Sequence, residues 1–368
     1  MESDDHTLNP LDRLFLARTY ELAQRAIGNT SPNPPVGAVV VAGGRILGEG
    51  YHHQAGGAHA EVNALAQAGS AARGATLYIS LEPCGHMGRT PPCADALIAA
   101  GVARVVTGTT DPADHGGAQR LRRRGVEVVV ADDALARELI EPFAAAAHAQ
   151  RPYLAVKMAM SLDGVVARRP GMREPLSSPR EQQMVRELRT AYDGVLVGAG
   201  TVRVDDPALT VRPPHHRLRP YHRIVIAQSH PISPKTRIFA AEEGYARTIL
   251  LAPAGAREVY RQLEDVADVV YVGAAHDAAL DLTAAMRELR AREIDGVLCE
   301  GGPRLAAALI AAGLVDRLYW AIAPRLLANA AAVPVLGGHD LARLSPALRF
   351  DRVERLGDDV MLSVALHV

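Results

Sequence analysis

Three side chains of the kind that bind zinc, His59, Cys84 and Cys93, stand far apart in this chain. If they share one ion, the fold between them is tightly constrained. The pattern reads as a helix beginning around Ala58-His59-Ala60-Glu61, a strand ending near Glu82-Pro83-Cys84 and a further helix starting at Pro91-Pro92-Cys93. Three such donors with a fourth position left to water make a catalytic rather than a structural zinc site. The metal would lower the pKa of its water toward about 7. Glu61, two residues from His59, would move protons and leave the metal to the other three. With 14 His and 41 Asp+Glu in 368 residues, about 1.6 His-x-acid triples arise at random, so that pair alone carries nothing. Pro-Cys is expected about 0.2 times from 24 Pro and 3 Cys, yet it occurs twice and in the right order.

The chain is too long for one ordinary domain and suits two. Hydrophobic residues at 48% and charged residues at 22% supply buried cores rather than disorder. Leu11, Leu14, Phe15, Leu22 and Ala26 share one helical face, which Gly28-Asn29 would stop. Val36 to Val41 and Ile46 to Glu49 read as strands joined by a turn at Gly43-Gly44. A helix from Ala58 to Ala68, a strand from Ala75 to Leu81 and a helix from Pro92 follow. Strands at Ala103 to Thr107 and Val126 to Val130, with a helix between, lead into a helix from Ala134 to Ala149. The break at Arg151-Pro152 predicts domains of 1–150 and 151–368. Beyond it strands and helices alternate again, which predicts α/β architecture with a largely parallel sheet covered on both faces.

Composition excludes several classes. Forty basic against forty-one acidic residues leave a net charge of −1, with no electrostatic footprint for nucleic acid or an anionic membrane. Aromatics at 4% argue against a stacking platform for single strands. No stretch reaches the roughly 18 apolar residues that span a bilayer. The acidic start, Met1-Glu2-Ser3-Asp4-Asp5-His6, lacks the form of a secretion signal. Three cysteines make no disulfide framework, so a reducing, cytoplasmic setting is expected. A homo-oligomer is compatible with the sequence and not required by it.

Eight residues, Gly85-His86-Met87-Gly88-Arg89-Thr90-Pro91-Pro92, separate the two cysteines where generic zinc deaminases have two. With Asn33-Pro34-Pro35-Val36-Gly37-Ala38-Val39, Gly50-Tyr51-His52, His59-Ala60-Glu61 and Glu82-Pro83-Cys84, this loop resembles the deaminase domain of bifunctional riboflavin-biosynthesis deaminase/reductases. The resemblance covers most of residues 10 to 150. It implies a cytidine-deaminase-like three-layer fold acting on a diaminopyrimidinone that carries a ribosylamino 5′-phosphate. It further implies His59, Cys84 and Cys93 as zinc ligands, Glu61 as proton shuttle, and Asn33, His86 and Arg89 as substrate contacts. The long loop has a physical reason, since Arg89 can fork onto a phosphate that a free base lacks. A nucleic-acid-editing deaminase would share the zinc chemistry but needs the basic groove and stacking aromatics that the composition denies.

The second half carries Lys157-Met158-Ala159-Met160-Ser161-Leu162-Asp163-Gly164, Asp193 to Thr201, Asp205 to Arg212 and Cys299-Glu300-Gly301-Gly302-Pro303. Gly198-Ala199-Gly200 and Glu300-Gly301-Gly302 both follow apolar strands and precede helices, as anion-binding turns do. These stretches are similar to the reductase domain of the same family over about residues 151 to 366, which implies a dihydrofolate-reductase-like fold and NADPH. By that resemblance Ala159, Thr201, Asp205 and the Gly301-Gly302 turn meet the cofactor. Arg189, Leu209, Arg212 and Glu300 meet the ribose phosphate. The chain departs from the family at Gly171 to Ser177, where Arg173 replaces a small substrate-contacting serine and Pro175 a cofactor-facing tryptophan. Ala227-Gln228 likewise replaces an Asp-Ser pair. These departures leave one alternative open: an active deaminase whose second domain only binds or supports, or which acts on a different pyrimidine.

Overall fold

The computed structural model describes residues 8–88, 91–113, 116–211, 218–228, 230–273, 279–337 and 348–366. The chain divides into two compact units, Met1–Gln150 and Arg151–Val368.

The first unit runs α1 (Pro10–Gln24), β1 (Gly37–Ala42), β2 (Arg45–Tyr51), α2 (Ala60–Ala68), β3 (Thr76–Ile79), α3 (Cys93–Ala100), β4 (Arg104–Thr107), α4 (Gly117–Arg122), β5 (Glu127–Val130) and α5 (Ala134–His148). Asn9 caps α1 by accepting from the Asp12 N–H at 2.9 Å, and the Asp12 carboxylate accepts the Asn9 N–H in return. The helix ends at Gln24, earlier than the sequence predicts, and the chain turns on through Gly28 at φ 82°. The sheet order is β2-β1-β3-β4-β5. Its β3–β4 and β4–β5 pairings are parallel, but β1 runs antiparallel to both neighbours. The β1–β2 pairing is the hairpin expected at Gly43-Gly44, a turn too short for any other return. Alternate strand residues bury opposite ways. Val40, Leu77, Val105 and Val128 pack against α2, α3 and α4. Val39, Tyr78, Val106 and Val129 pack against α1 and α5. The result is three layers.

The second unit contains β6 (Tyr153–Ser161), β7 (Val165–Ala167), α6 (Pro179–Ala191), β8 (Gly194–Gly198), α7 (Ala199–Asp205), β9 (His222–Ile226), β10 (Thr248–Pro253), α8 (Arg257–Tyr260), β11 (Ala267–Val272), α9 (Leu282–Arg290), β12 (Gly296–Cys299), α10 (Pro303–Ala311), β13 (Arg317–Ala323), β14 (Val333–Pro334), β15 (Arg352–Leu356) and β16 (Asp359–Ala365). Nine strands form one sheet in the order β11-β10-β9-β8-β12-β6-β13-β16-β15. Pairings from β11 to β13 are parallel, and β16 runs antiparallel to β13 and β15. Leu154, Val156, Leu196, Ile224 and Val297 face α9 and α10, while Val195, Val197, Val225 and Leu250 face α7 and Tyr260 of α8. A buried ion pair between Lys157 of β6 and Glu181 of α6 ties that helix to the sheet. Among the described residues no helix is long and apolar enough to cross a membrane.

Candidate active sites

His59 is the N-cap of α2, Cys93 is the first residue of α3, and Cys84 lies beyond β3. These separate elements bring the three donor atoms within 4.8 Å of one another. His59 Nδ1 lies 3.2 Å from Cys93 Sγ and 3.7 Å from Cys84 Sγ. Tetrahedral zinc with ordinary bond lengths holds N and S ligands about 3.6 Å apart, so the donor set fits the metal. The Cys93 N–H, free at the start of its helix, donates to Cys84 Sγ at 3.3 Å. Hydrogen bonds with Cys93 and His59 pull the Cys84 thiol well below its ordinary value, whereas the Cys84 sulfur and burial push Cys93 up. A thiolate is the form that binds metal.

Glu61 sits one helical step behind His59 and is 3% exposed. Burial pushes its carboxyl up to about 7, although the His59 imidazole pulls the other way. Glu61, His59 and Cys84 open into a cavity of about 330 Å³ that Asn33, His86 and Phe143 also line. His52, quoted in the sequence only as part of a motif, proves to set the position of Asn33. Its Nδ1–H donates to the Ala58 carbonyl at 3.0 Å, which leaves Nε2 as a lone pair 3.1 Å from the Asn33 amide nitrogen. Burial lowers the pKa of His52 and keeps it neutral for that duty.

The turn that carries Cys84 is gripped by α4. Glu82 accepts the Ala118 N–H at 2.7 Å and the Asp111 N–H at 3.3 Å. Arg120 reaches the Gly85 carbonyl at 3.3 Å and Asp95 of α3 at 2.7 Å, bridging both ends of the cysteine loop. A Cβ on Gly117 would stand 1.6 Å from the Pro83 carbonyl oxygen, so only glycine permits this contact. No sequence rule flags Gly117, because its partner is a backbone atom distant in the chain. Arg89 lies outside the described residues.

In the second unit a cavity of about 260 Å³ is lined by Arg173, Arg189, Thr201, Asp205, Leu209 and Glu300, all expected from the sequence, and by Arg237, which was not. Arg189 does not stand open toward an anion. Its Nε and Nη2 bond the two Glu300 oxygens at 2.5 and 2.7 Å, and its Nη1 reaches the Thr210 carbonyl at 3.0 Å. Ala159 is half-buried on β6, and Gly302 caps α10. Gly301, at φ 94°, receives the Gly198 N–H on its carbonyl at 3.0 Å, which joins the two glycine turns. A Cβ on Gly302 would meet Thr201 Oγ1 at 3.1 Å. Pro175 is exposed, and its carbonyl accepts from Arg325 at 2.9 Å. Arg212 lies outside the described residues.

The folds and sites together define a two-domain enzyme, a zinc-type deaminase followed by a reductase. Family models agree: the cytidine and deoxycytidylate deaminase zinc-binding region matches residues 10–109, and the RibD C-terminal domain matches residues 152–362. The riboflavin biosynthesis protein RibD of Escherichia coli K12 is 39% identical over 95% of this chain and 98% of its own length. That of Aquifex aeolicus is 36% identical over 96% and 98%. The structure of Acinetobacter baumannii RibD superposes with a TM-score of 0.84 at 31% identity, covering 96% of this chain and 98% of that one. The Thermotoga maritima diaminohydroxyphosphoribosylaminopyrimidine deaminase/5-amino-6-(5-phosphoribosylamino)uracil reductase gives 0.83 at 32% over the same shares. This chain belongs to the RibD family of riboflavin biosynthesis proteins. The likeness runs through both halves, against a second domain that only binds or supports.

Proposed function

We propose that residues 1–150 deaminate 2,5-diamino-6-ribosylamino-4(3H)-pyrimidinone 5′-phosphate and that residues 151–368 reduce the ribosyl group of the product with NADPH. The observation that carries this reading is the convergence of His59, Cys84 and Cys93 at a cavity with Glu61 buried beside them. The deaminase and reductase activities for which the Thermotoga maritima relative is named supply the substrate pair. His59, Cys84 and Cys93 would hold zinc, which supplies Lewis acidity and activates water at neutral pH. Glu61 takes one proton from water and gives it to the ring nitrogen, then takes the proton left on the added hydroxyl and gives it to the departing amine, so that C–N is broken, C=O forms and ammonia leaves. Asn33, fixed by His52, orients the ring, and His86 and Arg89 meet the phosphate tail.

In the second unit Thr201, Asp205 and the Gly301-Gly302 turn seat the cofactor, with Ala159 and Pro175 beside it. Arg173, Leu209, Arg212 and the Arg189–Glu300 pair shape the sugar site. Hydride transfer asks the protein mainly for orientation. The partners are small phosphorylated pyrimidines, and the setting is cytoplasmic, in keeping with three free cysteines. Mass analysis of the product from the diamino substrate tests both steps. An amine is exchanged for oxygen without NADPH, and two hydrogens are gained with it. An unchanged substrate in the presence of zinc-loaded protein refutes the first step, and a product that stops at the uracil refutes the second.

A further inference from the structure

The three arginines of the second cavity are not equivalent. Arg189 is committed to Glu300 and Thr210. Arg173 and Arg237 line the same cavity, and among the described residues neither forms an ion pair.

Arg173 is exposed, and the residues that follow it are fixed by contacts of their own. Glu174 is bound by Arg168 Nε at 2.7 Å, Pro175 is tied through its carbonyl to Arg325 at 2.9 Å, and Leu176 is buried with its N–H on the Glu174 carbonyl at 3.0 Å. The residues after Arg173 spend themselves on structure, and Arg173 is left to the cavity. Arg237 is anchored in the same manner. Its backbone N–H donates to Asp206 Oδ1 at 2.8 Å, and Ile238 and Phe239 behind it are buried. Of the acidic groups in the lining, Glu300 is paired with Arg189, Asp206 keeps its charge while accepting the Arg237 N–H, and the pKa of half-buried Asp205 is raised by burial and lowered by the charge of Arg173.

We propose that Arg173 and Arg237 form a clamp for a phosphate monoester, with guanidinium forks suited to its oxygens. The clamp stands where the family pattern has only a small serine at position 173, and it moves anion recognition away from Arg189. It rests on the reductase reading of this unit, whose reaction brings two phosphate monoesters: the 5′-phosphate of the substrate and the 2′-phosphate of NADPH.

Calorimetric titration of the full-length protein with ribose 5-phosphate, NADPH and NADH tests it in wild type, Arg173→Ser, Arg237→Gln and the double variant. Each single change weakens a phosphorylated ligand by about tenfold or more, and added salt narrows the difference. A loss confined to ribose 5-phosphate assigns the clamp to the substrate. A loss of NADPH with NADH unchanged assigns it to the cofactor. Equal affinities in wild type and double variant overturn the clamp, as does a parallel loss of NADPH and NADH or a wild type that binds neither phosphorylated ligand. Wild type that shows the expected binding pattern yet oxidises no NADPH with the deaminated intermediate keeps the clamp and refutes the reductase reading.

Discussion

At the first cavity His59 and Cys84 line the wall with Cys93 buried behind them, the three donors crowd within 4.8 Å although they come from separate elements, and Glu61 is shut in beside them. In the second cavity the charges are spread over α6, α7, the Gly171 to Ser177 stretch and the end of β12, and the strongest contact, Arg189–Glu300, is internal. A metal imposes fixed atoms at fixed distances, so its site tolerates few residue types. Hydride transfer needs a shaped surface, which many side chains can supply. The first cavity therefore tolerates fewer changes of residue type than the second.

The comparison is broken most sharply by Cys84→Ala. Zinc, measured by elemental analysis, is lost and deamination falls to background, while NADPH oxidation on supplied intermediate persists. Loss of both activities would refute the separation of the two sites. Glu61→Gln sharpens it: zinc stays and the deamination kcat falls by about 10²- to 10⁴-fold. Gly117→Ala forces the Pro83 carbonyl aside, and a chelator competition assay should show zinc held at least about tenfold more weakly. In the second unit Arg189→Met leaves Glu300 half-buried and unpaired. Denaturant unfolding of that unit should show a loss of about 3 kcal/mol.

The smallest effect is one of acidity. Burial works against the charge on Asp12, but hydrogen bonds from Arg104 and Tyr78 hold its pKa below the usual carboxylate value. Its stabilisation is therefore complete above about pH 4 and is lost as pH falls through the lower folded value. A pH series of unfolding midpoints for the first unit checks this. A midpoint that declines already near neutrality would contradict it.

Much of this was legible beforehand. The clustering of His59, Cys84 and Cys93 and the helices beside them follow from residue types and spacing, and the two compact units divide before Arg151. Less legible were features that depend on backbone meeting backbone or on pairing across the fold. His52 acts through the Ala58 carbonyl, and Arg189 lines its cavity as one half of an ion pair with Glu300 that residue spacing does not announce. Strand β15 has weak apolar alternation and exists because β16 offers it an edge. Arg237, which no motif marks, stands on a cavity wall only through the fold.

The contact between Gly117 and the Pro83 carbonyl has a bearing on protein engineering. Transplanting the long cysteine segment onto a related scaffold would fail wherever the receiving helix begins with any larger residue. The exchangeable module is the segment together with the opening turn of α4, and a designer has to move them as one piece.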